Sequence, residues 1–285
     1  MNSEHSTLEC NRVYWEYDKG SWWRPTDFTW SKQMSDGVRV TVPEYSRRSS
    51  SFKKDLSRLV FNFHRQHKGD YVITMSGGVD SEVTAQAFYD LGVPFRVLIL
   101  SLFDGINKGD IIWAVKWCKD HDVDYKIVKL SLNQFMNETI QQAIECGQFV
   151  RSPSQMALTE LFNHISPEEI IIFSGHNPDF HPTIGIGWQE DSPNMVKYAI
   201  NVRKRFFTFT SLEPIFCWYA AHYDAKQAGN KDSRFIHEAY PTIKRRPKLT
   251  GWEFSHPYLS KIYEKIDSLN SHIAYEPFIT WDKFK

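Results

Sequence analysis

The chain has 285 residues, which suits one full domain with appendages or two small domains. Its 34 basic and 34 acidic residues cancel, so no global field draws it to nucleic acid or to a membrane, and RNA binding would need a local patch. No run of about 18 apolar residues occurs, and the start MNSEHSTLEC lacks the apolar core of a signal peptide, which points to a cytoplasmic protein without a membrane partner. Cys10, Cys118, Cys146 and Cys217 lie far apart with no CxxC pair, which argues against a zinc knuckle, a cysteine-held cluster or a disulfide framework.

Residues 1–47 form an aromatic-rich extension. Tyr14, Trp15, Tyr17, Trp22, Trp23, Phe28 and Trp30 lie among polar residues, and Val38, Val40 and Val42 alternate up to Pro43. Alternation of this kind predicts short strands or a flap rather than helix. From Ser50 the spacing of Phe52, Leu56, Leu59, Val60 and Phe63 predicts a helix with one apolar face, ending near Gly69.

A strand and helix alternation follows. YVITM at 71–75 reads as a strand, and Val83, Ala87 and Leu91 mark a helix closed by Gly92. FRVLIL at 95–100 reads as a fully buried second strand, with SLFDGINKGD as the loop after it. Ile111, Ile112, Val115 and Cys118 predict the next helix, and YKIVKL at 125–130 a third strand. Phe135, Met136, Ile140 and Ala143 give another helical face, Leu158, Leu161 and Phe162 a further one, and EIIIFSG at 169–175 a fourth strand. This order predicts a parallel sheet with helices on both faces and a ligand at the carboxyl ends of its strands. Beyond about residue 190 the alternation fades into helical faces at 211–226 and 258–269, a mainly helical C-terminal portion. The expected organisation is therefore 1–47 extension, 48–190 nucleotide-binding α/β domain, and 191–285 a portion for substrate and phosphate.

Between the first strand of this series and its helix stands Ser76-Gly77-Gly78-Val79-Asp80-Ser81. A strand, a paired-glycine turn and a helix start gather backbone N–H groups and the positive end of a helix dipole around an anion-sized space. The glycines let a ligand approach without meeting a Cβ, the Ser76 and Ser81 hydroxyls suit phosphate oxygens, and Asp80 suits a magnesium ion. No Lys stands where the Walker pattern requires one. The fourth strand runs into Ser174-Gly175-His176-Asn177-Pro178-Asp179, and a parallel sheet opens this end onto the same edge. Gly175 would there allow close approach, and Asp179 would offer magnesium a second carboxylate.

The SGGVDS residues resemble the PP-loop of the ATP pyrophosphatase superfamily, whose members split ATP between its α and β phosphates and transfer AMP to a substrate. The turn at 174–179 is similar to the second motif of the asparagine synthetase branch. The resemblance implies a Rossmann-like fold of the adenine nucleotide alpha-hydrolase type, with ATP and magnesium as cofactors. It places the adenine ring against the backbone of Leu98, Ile99 and Leu100, and a phosphate-contacting Lys in the C-terminal region. The densest basic cluster there offers Lys244, Arg246 and Lys248, with Arg203, Lys204 and Arg205 as a weaker candidate; either stretch also reads as a solvated face or an RNA contact. Asp104 is open between a ribose or substrate contact and a solvated loop acid.

Absent features prune the branches. No cysteine spacing fits sulfur transfer or a four-Cys zinc site, and Asn2 stands where a glutaminase domain would expose a Cys. What remains is an AMP-forming synthetase acting on a small-molecule acceptor, with ammonia, an amine or a separate protein as nitrogen donor. The alternatives are a tRNA- or nucleoside-modifying enzyme, and an ATP-binding sensor without turnover.

Overall fold

The computed structural model describes residues 52–147, 153–174, 179–181, 185–187, 195, 198–208 and 259–269, together with strands between residues 6 and 41. The N-terminal extension holds β1 (Ser6–Cys10), β2 (Val13–Lys19), β3 (Trp22–Thr26), β4 (Thr29–Lys32) and β5 (Asp36–Thr41). Strand β2 pairs antiparallel with both β1 and β5, and β3 pairs with β4. The expectation of strands over helix holds there.

Helix α1 (Phe52–Gln66) buries the predicted stripe of Phe52, Leu56, Leu59, Val60 and Phe63. Then come β6 (Tyr71–Thr74), α2 (Val79–Asp90), β7 (Phe95–Leu102), α3 (Lys108–Asp120) and β8 (Tyr125–Leu130). A helical run follows: α4 (Leu132–Gln134), a π turn at Phe135–Thr139, α5 (Ile140–Gly147) and α6 (Pro153–Leu158). Strand β9 (Ile170–Phe173) follows, then the β10 (Asp179–His181) and β11 (Gly185–Gly187) hairpin, β12 (Arg205–Thr208), and α7 (Leu259–Leu269).

Five strands make one parallel sheet in the order β12-β9-β6-β7-β8. The fold is thus the parallel α/β architecture expected, with helices on both faces. Alternation along β6 sends Tyr71 and Ile73 to one face with α1, α2 and α3, where they meet Phe63, Phe88, Val97, Ile99, Ile172 and Phe207. Val72 goes to the other face, with Leu98, Leu100, Ile171 and Phe173 beneath α5, α6 and Ile262 and Ile266 of α7. From β6 the chain steps outward through β7 to β8, then returns across the sheet to β9 on the other side of β6. The two directions part between β6 and β9, a topological switch point, and the carboxyl end of β6 opens there.

Three sequence expectations change. The parallel sheet continues past residue 190, because Arg205–Thr208 is a fifth strand that pairs Phe206 with Ile171 and Phe207 with Ile172. Strand β7 runs two residues beyond Leu100, since β8 stays paired with it as far as Leu102. Ile112 and Leu91 are exposed, and Trp117 and Phe88 fill the interior instead.

The amino edge of the sheet is tied by ions. Arg96 donates from Nε to Glu169 Oε1 at 2.6 Å and from a terminal nitrogen to Oε2 at 2.9 Å, and Ser166 N–H donates to the same carboxylate at 2.7 Å. The Arg96 hydrogen bonds hold the Glu169 carboxyl below its ordinary 4.5, against the opposing effect of its burial. A depressed carboxyl stabilises the fold above its unfolded-state value and loses that contribution as pH falls through the folded value. Glu169→Gln should therefore lower stability by about 1 kcal/mol at pH 7, as expected for a charge-assisted pair that is part exposed. Urea titrations should show that gap shrinking steadily as the pH drops below about 4.5 toward the lowered folded-state value; a gap that does not shrink at all below that pH would refute the ionic account.

Candidate functional site

At the carboxyl edge β6 stops at Thr74, whose register partner is Leu98, while β7 continues to Leu102. Met75 N–H takes the last shared bond, to Leu98 O at 2.9 Å. From there the chain closes on itself through hydroxyls. Ser76 N–H donates to Ser81 Oγ at 3.3 Å, Gly78 N–H donates to Ser76 Oγ at 3.2 Å, and Ser81 Oγ donates to Gly78 O at 2.9 Å. The two serine oxygens lie 3.4 Å apart. Ser81 is buried, Ser76 and Gly78 are exposed, and Val79 and Asp80 are half-buried in the first turn of α2. Gly78 occupies the N-cap position, where no side chain caps the helix, so the positive end of α2 faces outward beside Asp80.

The two glycines meet different demands. Gly77 is buried with φ +88°, and a Cβ on it would sit 2.0 Å from the Asp110 carbonyl oxygen. Both backbone and packing require glycine. Gly78 has φ −80° and ψ 164°, open to any residue, and among the described residues its Cβ would meet only Ser76 Oγ, at 3.3 Å. Nothing among the described residues demands glycine at 78, and Ser, Asp or Asn would cap α2 at least as well.

Of the adenine candidates, Leu98, Ile99 and Leu100 lie inside β7 with buried side chains, paired along β8. Leu98 O is used by Met75, and Leu100 O accepts from Asn107 Nδ2 at 2.8 Å. Asp104, exposed at the end of β7, has φ +56° next to Gly105 at φ +72°. Asp179 pairs with Gly187 in the β10–β11 hairpin that follows β9. Gly175, His176, Lys244, Arg246 and Lys248 lie outside the described residues. Among the described residues no group of three or more His, Cys, Asp or Glu side chains is placed to hold a metal, and no helix is long and apolar enough to cross a membrane. Asp80, a hard oxygen donor at the mouth of the loop, still fits a magnesium ion carried in with phosphate.

Arg203, Lys204 and Arg205 do not border the loop. They stand at the amino end of β12, on the opposite edge, where Arg205 donates to Lys68 O at 2.9 Å and Glu168 O at 3.2 Å and Lys204 to Ile165 O at 2.6 Å. Asp110, which lies against the loop at Gly77, and Asn107, which bonds the neighbouring strand β7, escaped the sequence reading. Their one signal was an Asn directly before a helical pattern, which reads as an ordinary cap.

No family model matches the chain, and no curated protein matches it. Among solved structures it is similar to the U34-tRNA thiolase NcsA from Methanococcus maripaludis at 18% identity and TM-score 0.37, over 78% of this chain and 81% of that one. It is similar to NMN synthetase from Francisella tularensis at 13% identity and TM-score 0.35, over 80% of this chain and 99% of that one. A third is glutamine-dependent NAD+ synthetase from Acinetobacter baumannii, at 11% identity and TM-score 0.39; the match covers 90% of this chain and 54% of that one.

The unequal glycines give a direct test. Gly77→Ala should cost about 2 kcal/mol or more, from positive φ and the Asp110 overlap together. Gly78→Ala should change stability by no more than about 0.5 kcal/mol. Thermal melts of both variants read this out, and equal losses would contradict the division of roles.

Proposed function

We propose that the chain is an ATP-dependent adenylating enzyme that splits ATP into AMP and pyrophosphate. The observation that carries this reading is Gly78: exposed, backbone-permitted for any residue, at the uncapped start of α2, and yet without a side chain. A glycine that nothing among the described residues requires leaves room for something that approaches from outside, and an outward helix N-terminus beside the exposed Ser76 hydroxyl favours phosphate.

In this reading the loop residues Ser76 to Ser81 cradle the phosphates, and Asp80 with Asp179 would hold magnesium, which supplies charge neutralisation when bound. An acceptor oxygen, carboxylate or carbonyl, attacks the α-phosphorus; the bond to the β-phosphate oxygen breaks and its electron pair leaves with pyrophosphate. A nitrogen nucleophile, from ammonia, an amine or a separate donor protein, then displaces AMP from the adenylate. The protein positions the partners and stabilises charge, with no side-chain nucleophile. One of Lys244, Arg246 and Lys248 meets the departing pyrophosphate, and the β7 edge near Leu98 to Leu100, with Gly175 on the facing turn, borders the base and ribose. A tRNA-modifying enzyme uses the same ATP chemistry, and here it would depend on residues 244–248 without help from 203–205, which stand at the other edge with Lys204 and Arg205 bound to carbonyls there.

Incubation with ATP labelled at the α-phosphate, magnesium, ammonia and a pool of small carboxylates and amides should yield labelled AMP or an AMP adduct. Gly78→Val should abolish both ATP binding and this product while its melting temperature stays close to that of the wild type. Labelled ADP as the only product would overturn the reading, and binding without any product would leave a sensor in its place.

A further inference from the structure

Past Thr74 the inner edge of β7 has no neighbouring strand among the described residues, yet two of its polar groups are met. Asn107 Nδ2 donates to Leu100 O at 2.8 Å, and Leu102 N–H donates to Asn107 Oδ1 at 2.9 Å. One carboxamide thus replaces two rungs of the missing ladder. Asn107 precedes α3 in the N-cap position but its side chain makes no capping bond, being turned onto the strand instead. Its own carbonyl accepts from Asp110 N–H at 3.0 Å and Ile111 N–H at 3.1 Å, which starts the helix. Asp110 in turn places its carbonyl oxygen against Gly77, where any Cβ would fall 2.0 Å away.

We propose that Asn107 is a positioning residue for the phosphate loop: it pins the start of α3 to the protruding end of β7, and α3 holds Gly77 in its left-handed conformation. The proposal rests on the reading of residues 76–81 as an ATP phosphate site. It goes beyond that reading by naming a residue outside the motif that sets the motif's shape, through the chain Leu100 and Leu102, Asn107, Asp110, Gly77. No substrate contact is assigned to Asn107. A competing idea is available from the same bonds, because a carboxamide offers the donor and acceptor pair that an adenine edge also offers. Asn107 would then be a stand-in that the base displaces.

The experiment compares the wild type with Asn107→Asp, which keeps an acceptor for Leu102 but sets a carboxylate against Leu100 O, and with the milder Asn107→Ser should the first not fold. Without ligand, hydrogen exchange should quicken at the amides of residues 76–81 in the variants and stay unchanged in β9 at Ile170–Phe173. With ligand, calorimetry should show pyrophosphate and ATP binding about tenfold weaker, the scale of one lost hydrogen-bonding contact, with adenosine binding unchanged. Unchanged exchange at 76–81 overturns the strut whether or not ATP binds. Adenosine binding that tightens in the variants, or weakens as much as pyrophosphate binding does, overturns it in favour of a base-site role. A wild type that binds none of the three ligands refutes the ATP reading alone, and the exchange result still decides the strut.

Discussion

The site depends on one divergence: β6 leaves the sheet at Thr74 while its neighbour β7 continues to Leu102. Two strands that part leave polar groups on both new edges, and buried edges must be satisfied. On the β6 side the answer is local, with Ser76 and Ser81 hydroxyls standing in for strand partners. On the β7 side the answer is Asn107. The crevice between these two repairs opens between the carboxyl ends of β6 and β7, beside the switch point on the other side of β6 and next to the start of α2.

That geometry separates what the motif does for the fold from what it leaves for a ligand. Gly77 and Ser81 look inward: one carries the positive φ and accepts the Asp110 backbone, the other closes the loop from a buried position. Ser76, Gly78 and Asp80 look outward or stand at the rim. A loop preformed by its own hydrogen bonds has little conformational entropy left to lose on binding, which in the proposed function would let a site made mostly of backbone dipoles seat a highly charged ligand.

Much of this was legible in the sequence, for identifiable reasons. Continuous apolar runs such as YVIT and IIIF report strands buried on both faces, and α1 shows a clean stripe because one side of it stays in solvent. The fifth strand was missed because RFFT begins in a basic triplet and read as a charge patch; Lys204 and Arg205 spend their charge on carbonyls at the amino edge, and Phe206 and Phe207 fill the two cores. The end of β7 was placed two residues early because Ser101 looks like a loop residue. That error hid Asn107, whose role exists only where a strand outruns its neighbour. The glycine pair was visible as a motif, but which glycine served packing was not, since the answer lies in Asp110, 33 positions away.

The charge distribution carries the last step. Arg96, Lys126, Lys204 and Arg205 all stand at the amino edge, engaged with Glu169, His164 or main-chain carbonyls. The loop at the carboxyl edge offers dipoles and hydroxyls, and its own charged side chain, Asp80, is negative. Dipoles alone can seat a triphosphate, but they do not balance the charge that collects on a departing pyrophosphate. In the proposed reaction Asp80 would hold a divalent ion, which would supply the charge neutralisation that a departing pyrophosphate needs. A cation from the 244–248 stretch would complete that balance on the far side of the phosphates.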